Sequence, residues 1–217
     1  FCGLVGIIIE KFVYRPMITR SRIVPLIASI GLLIAMQDSV RIIVTPLAES
    51  YPVSMGRGIQ TSYLHLEGHA IFILVFTCVA LFLLWVIMFR TKTGMSIRAV
   101  SQNLDISAVM GIDVNKANRI VFLIGSALAG AAGVLVGIHY NILLPFMGDV
   151  PAYKALAVIV IGGFGSVLGT ILGGLFLGIS EALISAYTDL PMSREATAML
   201  LMIILILFRP QGLLGKK

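Results

Sequence analysis

Apolar runs long enough to cross a lipid bilayer constrain the fold of this chain more than any other feature. Ala70 to Phe89, Ile120 to Ile138 and Leu168 to Tyr187 are predominantly apolar, and so is Pro191 to Phe208 beyond the Arg194-Glu195 pair near its start. A helix rising 1.5 Å per residue needs roughly 20 such residues to traverse about 30 Å of hydrocarbon. Of the 217 residues, 59% are hydrophobic and 12% charged, against about 25% charged in soluble domains. A water-exposed surface cannot be built from that composition. The chain reads as an all-α, polytopic transmembrane helical bundle, one domain over residues 1–217.

The sequence opens at Phe1 and stays apolar to Ile9, about half a span. It has no charged leader and no small-residue cleavage site, so it does not read as a signal peptide. The expectation is a fragment that begins inside a transmembrane helix, with earlier spans missing.

The net charge of +6 is patterned rather than diffuse. Lys11, Arg15, Arg20 and Arg22 lie in the first polar loop. Arg90, Lys92, Arg98, Lys116 and Arg119 lie in or beside the long loop at 90–118, and Arg209, Lys216 and Lys217 in the tail. Twelve of the sixteen basic residues therefore fall on alternate loops, and the intervening loops hold only Arg57, Lys154 and Arg194, with Arg41 near a helix end. Short loops rich in Lys and Arg stay cytoplasmic, so this charge fixes orientation and does not imply a nucleic-acid partner. On that basis residues 45–70 form an extracytoplasmic loop and 90–118 a cytoplasmic one. Cys2 and Cys78 sit inside apolar segments without metal or redox spacing.

Pro25 suits the first turn of a helix that runs to about Val44 and stops before Pro46. Ile59 to Leu66 alternates enough to suggest a short strand or hairpin. Asp113 is placed to cap the helix that leads into Ile120 to Ile138. Residues 139–151 and 188–195 are both poor in basic residues, so the apolar stretch between them must go in and return. Ala155 to Phe164 is only half a bilayer long, Gly162, Gly163, Gly165 and Ser166 offer a turn, and Leu168 to Tyr187 spans fully. A short or re-entrant, glycine-broken helix followed by a complete one fits.

Gly125, Gly130, Gly133 and Gly137 share one predicted helix, and Gly169, Gly173, Gly174 and Gly178 another. Small residues at such spacing let helix backbones approach closely, and packing of that kind accounts for most of these glycines. The Gly162–Ser166 break is different. Exposed backbone at membrane depth is tolerated where it is buried in protein or lines a polar cavity, which makes Gly162, Gly163, Gly165 and Ser166 candidates for a translocation path. Glu181, an intramembrane carboxylate, joins them by default, although holding another helix is the more natural role. His65, Glu67 and His69 alternate, but they lack the spacing of a zinc helix and read as loop residues.

Residues 94–111 have a glycine at each end and one amphipathic helical stretch between them. Ile97, Val100 and Leu104 form its apolar stripe, with Arg98, Gln102 and Asp105 off it. Such a helix can lie on the membrane surface or seat its stripe in a groove on a partner. The chain contains no G-x-x-x-x-G-K-[ST] phosphate loop, no nucleophile elbow and no catalytic carboxylate pair, so neither ATP binding of that kind nor enzyme activity is expected of it, and no cofactor.

Gly94-x3-Arg98-Ala99 followed by Ala108-x2-Gly111-Ile112 resembles the cytoplasmic loop of permeases for branched-chain amino acid ABC importers. Gly162-Gly163-Phe164-Gly165-Ser166-x2-Gly169-x3-Gly173-Gly174-x3-Gly178 is similar to their glycine-rich C-terminal hairpin. Glu10-Lys11-x2-Tyr14-Arg15-Pro16 and Arg209-Pro210-Gln211-Gly212-Leu213-Leu214-Gly215 also look like that family. The resemblance covers essentially the whole chain and is greatest to the shorter, high-affinity type of permease subunit. One departure is Leu168, where many relatives carry proline. The resemblance implies a bacterial inner-membrane assembly with a second homologous permease, two cytoplasmic ATP-binding subunits and an extracytoplasmic solute-binding protein, importing branched-chain amino acids. Gly94, Ile97, Arg98, Ala99, Val100, Leu104, Ala108 and Gly111 would then be the residues that couple to an ATPase. Import of urea, amides or other amino acids by the same architecture, or proton-coupled transport through Glu181, are the rival readings.

Overall fold

The computed structural model describes residues 1–17, 23–44, 49–50, 59–61, 64–66, 68–163, 165–187, and 199, 200, 203 and 207. The described chain is helical apart from four strands of two or three residues, and it divides into two units, Phe1–Pro145 and Phe146–Lys217. Most of the expected last span, 191–208, and the tail lie outside the described residues.

In the first unit, α1 (Cys2–Ile9) loosens into a π-helical turn at Glu10–Tyr14 and then tightens into a 3₁₀ turn at Arg15–Met17. Pro16 explains the change of pitch, because it has no N–H to donate and its ring crowds the carbonyl four residues back. α2 (Ile23–Val44) carries Pro25 in its first turn, where the missing N–H costs nothing. β2 (Ile59–Thr61) and β3 (Leu64–Leu66) form the expected hairpin, with Ile59 opposite Leu66 and Thr61 opposite Leu64. β1 (Glu49–Ser50) pairs antiparallel with β4 (Ile142–Leu143).

α3 (Gly68–Arg90) and α6 (Val114–Tyr140) are each long and apolar enough to cross a membrane. Side chains such as Leu74, Phe82 and Val121 point outward, which suits lipid and would be an aggregation liability in water. α1 runs antiparallel along α6, and glycine makes the contact. A Cβ on Gly6 would strike Ser126 and the Phe122 carbonyl, one on Gly3 would meet Leu123, and one on Gly130 would meet Cys2. Lipid offers no hydrophobic drive between helices, so close van der Waals contact of this kind has to hold them.

The second unit is a helical hairpin. α7 (Asp149–Gly162) has 14 residues, about 21 Å, and α8 (Val167–Tyr187) has 21, about 31 Å. A short helix followed by a full one is what the sequence predicts, but α7 starts earlier than the expected Ala155. Asp149 in its first turn favours the positive helix terminus, and Pro151 is tolerated there. Ala157, Ile161 and Leu177 form the buried centre of the hairpin, with Val158 packed against it. The expected all-α, polytopic membrane fold is the one observed.

Candidate functional site

Two places gather the residues singled out in the sequence: the segment that joins α3 to α6, and the α7–α8 hairpin.

The joining segment turns sharply out of α3. Thr91 is extended and caps α4 (Lys92–Gln102), its hydroxyl oxygen accepting from the Gly94 N–H at 3.1 Å and donating to the Ile87 carbonyl. Gly94 is buried in that corner, and a Cβ on it would run into the Ile87 and Met88 carbonyls. Only glycine permits so close an approach. Arg90 stacks over Trp85 at 5.9 Å and Arg98 over Phe89 at 5.0 Å, so two cations and an aromatic cluster mark this end of α3. Such pairings of aromatic and basic residues belong at a membrane–water interface.

The single amphipathic helix expected over 94–111 is two helices. Asn103, extended at φ −156° and ψ 116°, ends α4, and its Oδ1 accepts from the Asp105 and Ile106 N–H groups to begin α5 (Leu104–Val109). The Ser107 hydroxyl donates back to the Asn103 carbonyl at 2.7 Å. Gly111, in the left-handed region at φ +81°, ends α5, and Asp113 caps α6 through the Lys116 N–H, as its position predicts. The break divides the expected stripe. Val100 is buried and Ala117 is buried where α4 packs against α6, Ile97, Arg98 and Ala99 are half-buried, and Ala108 is exposed. Leu104 instead joins Ile106, Val109 and Met110 on an exposed apolar surface, with Val109 90% accessible. Helical periodicity put Leu104 on one stripe with Ile97 and Val100 because it cannot register a cap in mid-run. The Asn103-x-Asp105 pair, a capping residue followed by an acid in a first turn, was the legible signal.

In the hairpin, Gly163 (φ 94°) caps α7 by donating to the Ile159 carbonyl, and Gly165 (φ 83°) completes the turn. Ser166 begins α8, its hydroxyl oxygen accepting from the Gly169 N–H at 3.0 Å while its carbonyl accepts from the Thr170 N–H and hydroxyl. Several polar groups of the break are thus satisfied locally. Leu168 lies in the first turn of α8, where proline also fits. Gly162 and Gly169 touch backbone to backbone, and Gly173 stands against the Gly162 amide and the Val158 carbonyl. Gly174 makes ordinary contact with Val158, while a Cβ on Gly178, Gly125 or Gly133 would meet nothing within 4 Å. Gly137 is buried in α6.

Glu181 has a partner that the sequence did not suggest. Lys154 Nζ, on α7, donates to its Oε2 at 2.7 Å, and the side chains keep 23% and 14% of their surface. Glu181 Oε1 is buried without a partner. The sequence puts Lys154 in an intervening loop, but a lone acid in an apolar helix calls for a cation, and this lysine lies just before the apolar run. A second acid, Glu10, is 1% exposed in the π-helical turn, with both oxygens unpartnered, and Arg98 Nε is also buried without a partner. Asp38 and Arg41, three apart on α2, both face outward.

Residues 1–209 match the family described as "Branched-chain amino acid transport system / permease component". The high-affinity branched-chain amino acid transport system permease protein BraD of Pseudomonas aeruginosa is 33% identical, over 97% of this chain and 70% of its own length. LivH of Escherichia coli, named as the corresponding high-affinity permease protein, is 32% identical over 96% and 69%. A probable LivH of Methanocaldococcus jannaschii is 31% identical over 67% and 48%. No solved structure matches. Membrane-length helices, a capped and apolar α4–α5 platform and a glycine-locked hairpin thus stand in a multi-pass membrane protein that belongs to the branched-chain amino acid transport system permease family.

Proposed function

We propose that this chain is the membrane-spanning subunit of an ATP-binding cassette importer that carries branched-chain amino acids across the inner membrane. A second homologous permease, two cytoplasmic ATP-binding subunits and an extracytoplasmic solute-binding protein complete the machine, and ATP is hydrolysed in those separate chains.

The observation that carries the reading is the α4–α5 platform. Its exposed apolar residues Leu104, Ile106, Val109 and Met110 follow a helix capped by Thr91 and ended by Asn103, and Arg90, Lys92 and Arg98 lie at or within that helix. The density of basic charge supports a cytoplasmic position for this end, where an ATPase groove can receive the apolar surface. Val100 and the Gly94 corner tie the platform to α6 and α3. Displacement of the platform by a closing ATPase therefore moves both spans together. Nucleotide must favour one of the two arrangements by binding it more tightly, since equal affinity shifts nothing.

The test is uptake of labelled leucine into proteoliposomes containing this chain and its partners. Uptake that requires ATP and the binding protein is expected. Uptake driven by a proton gradient without any ATPase would overturn the reading.

A further inference from the structure

We infer that Lys154 and Glu181 form a seat for the zwitterionic head of an α-amino acid, an inference that rests on the amino-acid transport reading above. Glu181 Oε1 accepts from the ammonium of the cargo, and Lys154 Nζ donates to its carboxylate.

Glu181 is held from one side only. Lys154 reaches Oε2 at 2.7 Å, and Oε1 is buried with nothing bound to it. A carboxylate oxygen left so costs free energy in a low-dielectric setting, so the geometry suits a second donor. The lysine ammonium carries three N–H donors, leaving it with donors beyond the bond to Glu181. The pair therefore presents one unused acceptor beside unused donors.

Gly178 lies three residues before Glu181, on the neighbouring part of the same helix face; it is exposed, and a Cβ there would meet nothing within 4 Å. Leu177, on the adjoining turn, is buried against α7. Both charged residues stand away from the glycine turn. Lys154 is about 12 Å up α7 from Gly162, and Glu181 about 21 Å along α8 from Val167.

Charge balance selects the class of ligand. The pair is neutral, so a zwitterion leaves it neutral and adds one complementary contact for each of its own charges. A bare cation at Oε1 would face the Lys154 ammonium, and an anion at Lys154 would face the carboxylate, both at high cost where the dielectric is low. A pair that merely stapled two helices would do as well with apolar side chains of like volume, since such exchanges are commonly neutral or stabilising.

That last point supplies the experiment, made on the whole importer in proteoliposomes. Wild type must first show ATP-dependent uptake of labelled leucine, and its failure there would sink the functional reading rather than this inference. K154M/E181L replaces the pair with apolar residues of similar length. If this complex co-purifies with the ATPases, uptake is expected to fall at least tenfold, and uptake within twofold of wild type would show a staple and overturn the inference. Should K154M/E181L fail to assemble, E181Q decides, because it keeps size and an acceptor for Lys154 but removes the charge that meets the ammonium. A tenfold loss is again expected, and wild-type uptake overturns the assignment.

Discussion

α1 lies against α6, and α7 against α8, with glycine at the points where one helix meets the other, yet the acid enclosed by each pair is treated differently. Gly6 and Gly130 serve the first pair, and Gly162, Gly169 and Gly173 the second. Glu10, in the turn that continues α1, is fully enclosed with neither oxygen bonded, whereas Glu181 is bridged to Lys154 through one oxygen and keeps the other free. The shared device shows how helices associate where lipid removes the hydrophobic drive. The difference separates contact that builds the fold from charge placed where packing alone does not require it.

Substitutions can break this comparison, beginning with the largest effect. Gly169→Leu drives a side chain into the Gly162 backbone and should destabilise the hairpin by about 3 kcal/mol, read as a lower melting midpoint in detergent. Gly6→Leu, which meets a carbonyl and the smaller Ser126 side chain, should do similar but lesser damage. If both are tolerated, glycine contact does not hold either pair. Lys154→Met leaves Glu181 with no cation. Unpairing a fully buried bridge costs several kcal/mol, and for this partly accessible pair a loss of about 2 kcal/mol is expected, measured by the same melt. The control is Gly125→Ala or Gly133→Ala, where the new methyl meets open space; in the isolated chain these should gain up to about 1 kcal/mol from helix propensity. Smallest is Glu10→Gln, which replaces an enclosed, unpartnered carboxyl with an amide of the same shape. It should raise the midpoint slightly, by the equivalent of roughly 1 kcal/mol, and a large fall would mean that Glu10 is bonded to a cation.

Much of the fold was legible because membrane spans are written in uninterrupted hydropathy. The end of α2 at Val44, the cap at Asp113, the strand pair in 59–66 and the short-then-long hairpin all follow from apolar length, proline and capping residues. What escaped depends on the third dimension. Periodicity treats 94–111 as one stripe, but Asn103 offers the backbone a competing hydrogen bond and turns Leu104 outward. Parity of basic loops placed Lys154 in a connection, because a count of charges by segment cannot see that an acid 27 residues later lies one helix away. The glycines divide in the same manner. Spacing marks Gly125 and Gly169 alike, and only the structure shows which one meets another backbone.

The central claim, that the α4–α5 platform faces a nucleotide-driven partner inside the cell, is tested most directly at Val109, the most accessible of the large apolar residues of α5. In a chain with Cys2 and Cys78 replaced by alanine, Val109→Cys would be treated in intact cells with a membrane-impermeant maleimide. The account predicts no labelling until the membrane is opened, and cross-linking to the ATP-binding subunit with a short bifunctional reagent. Rapid labelling from outside intact cells would contradict it.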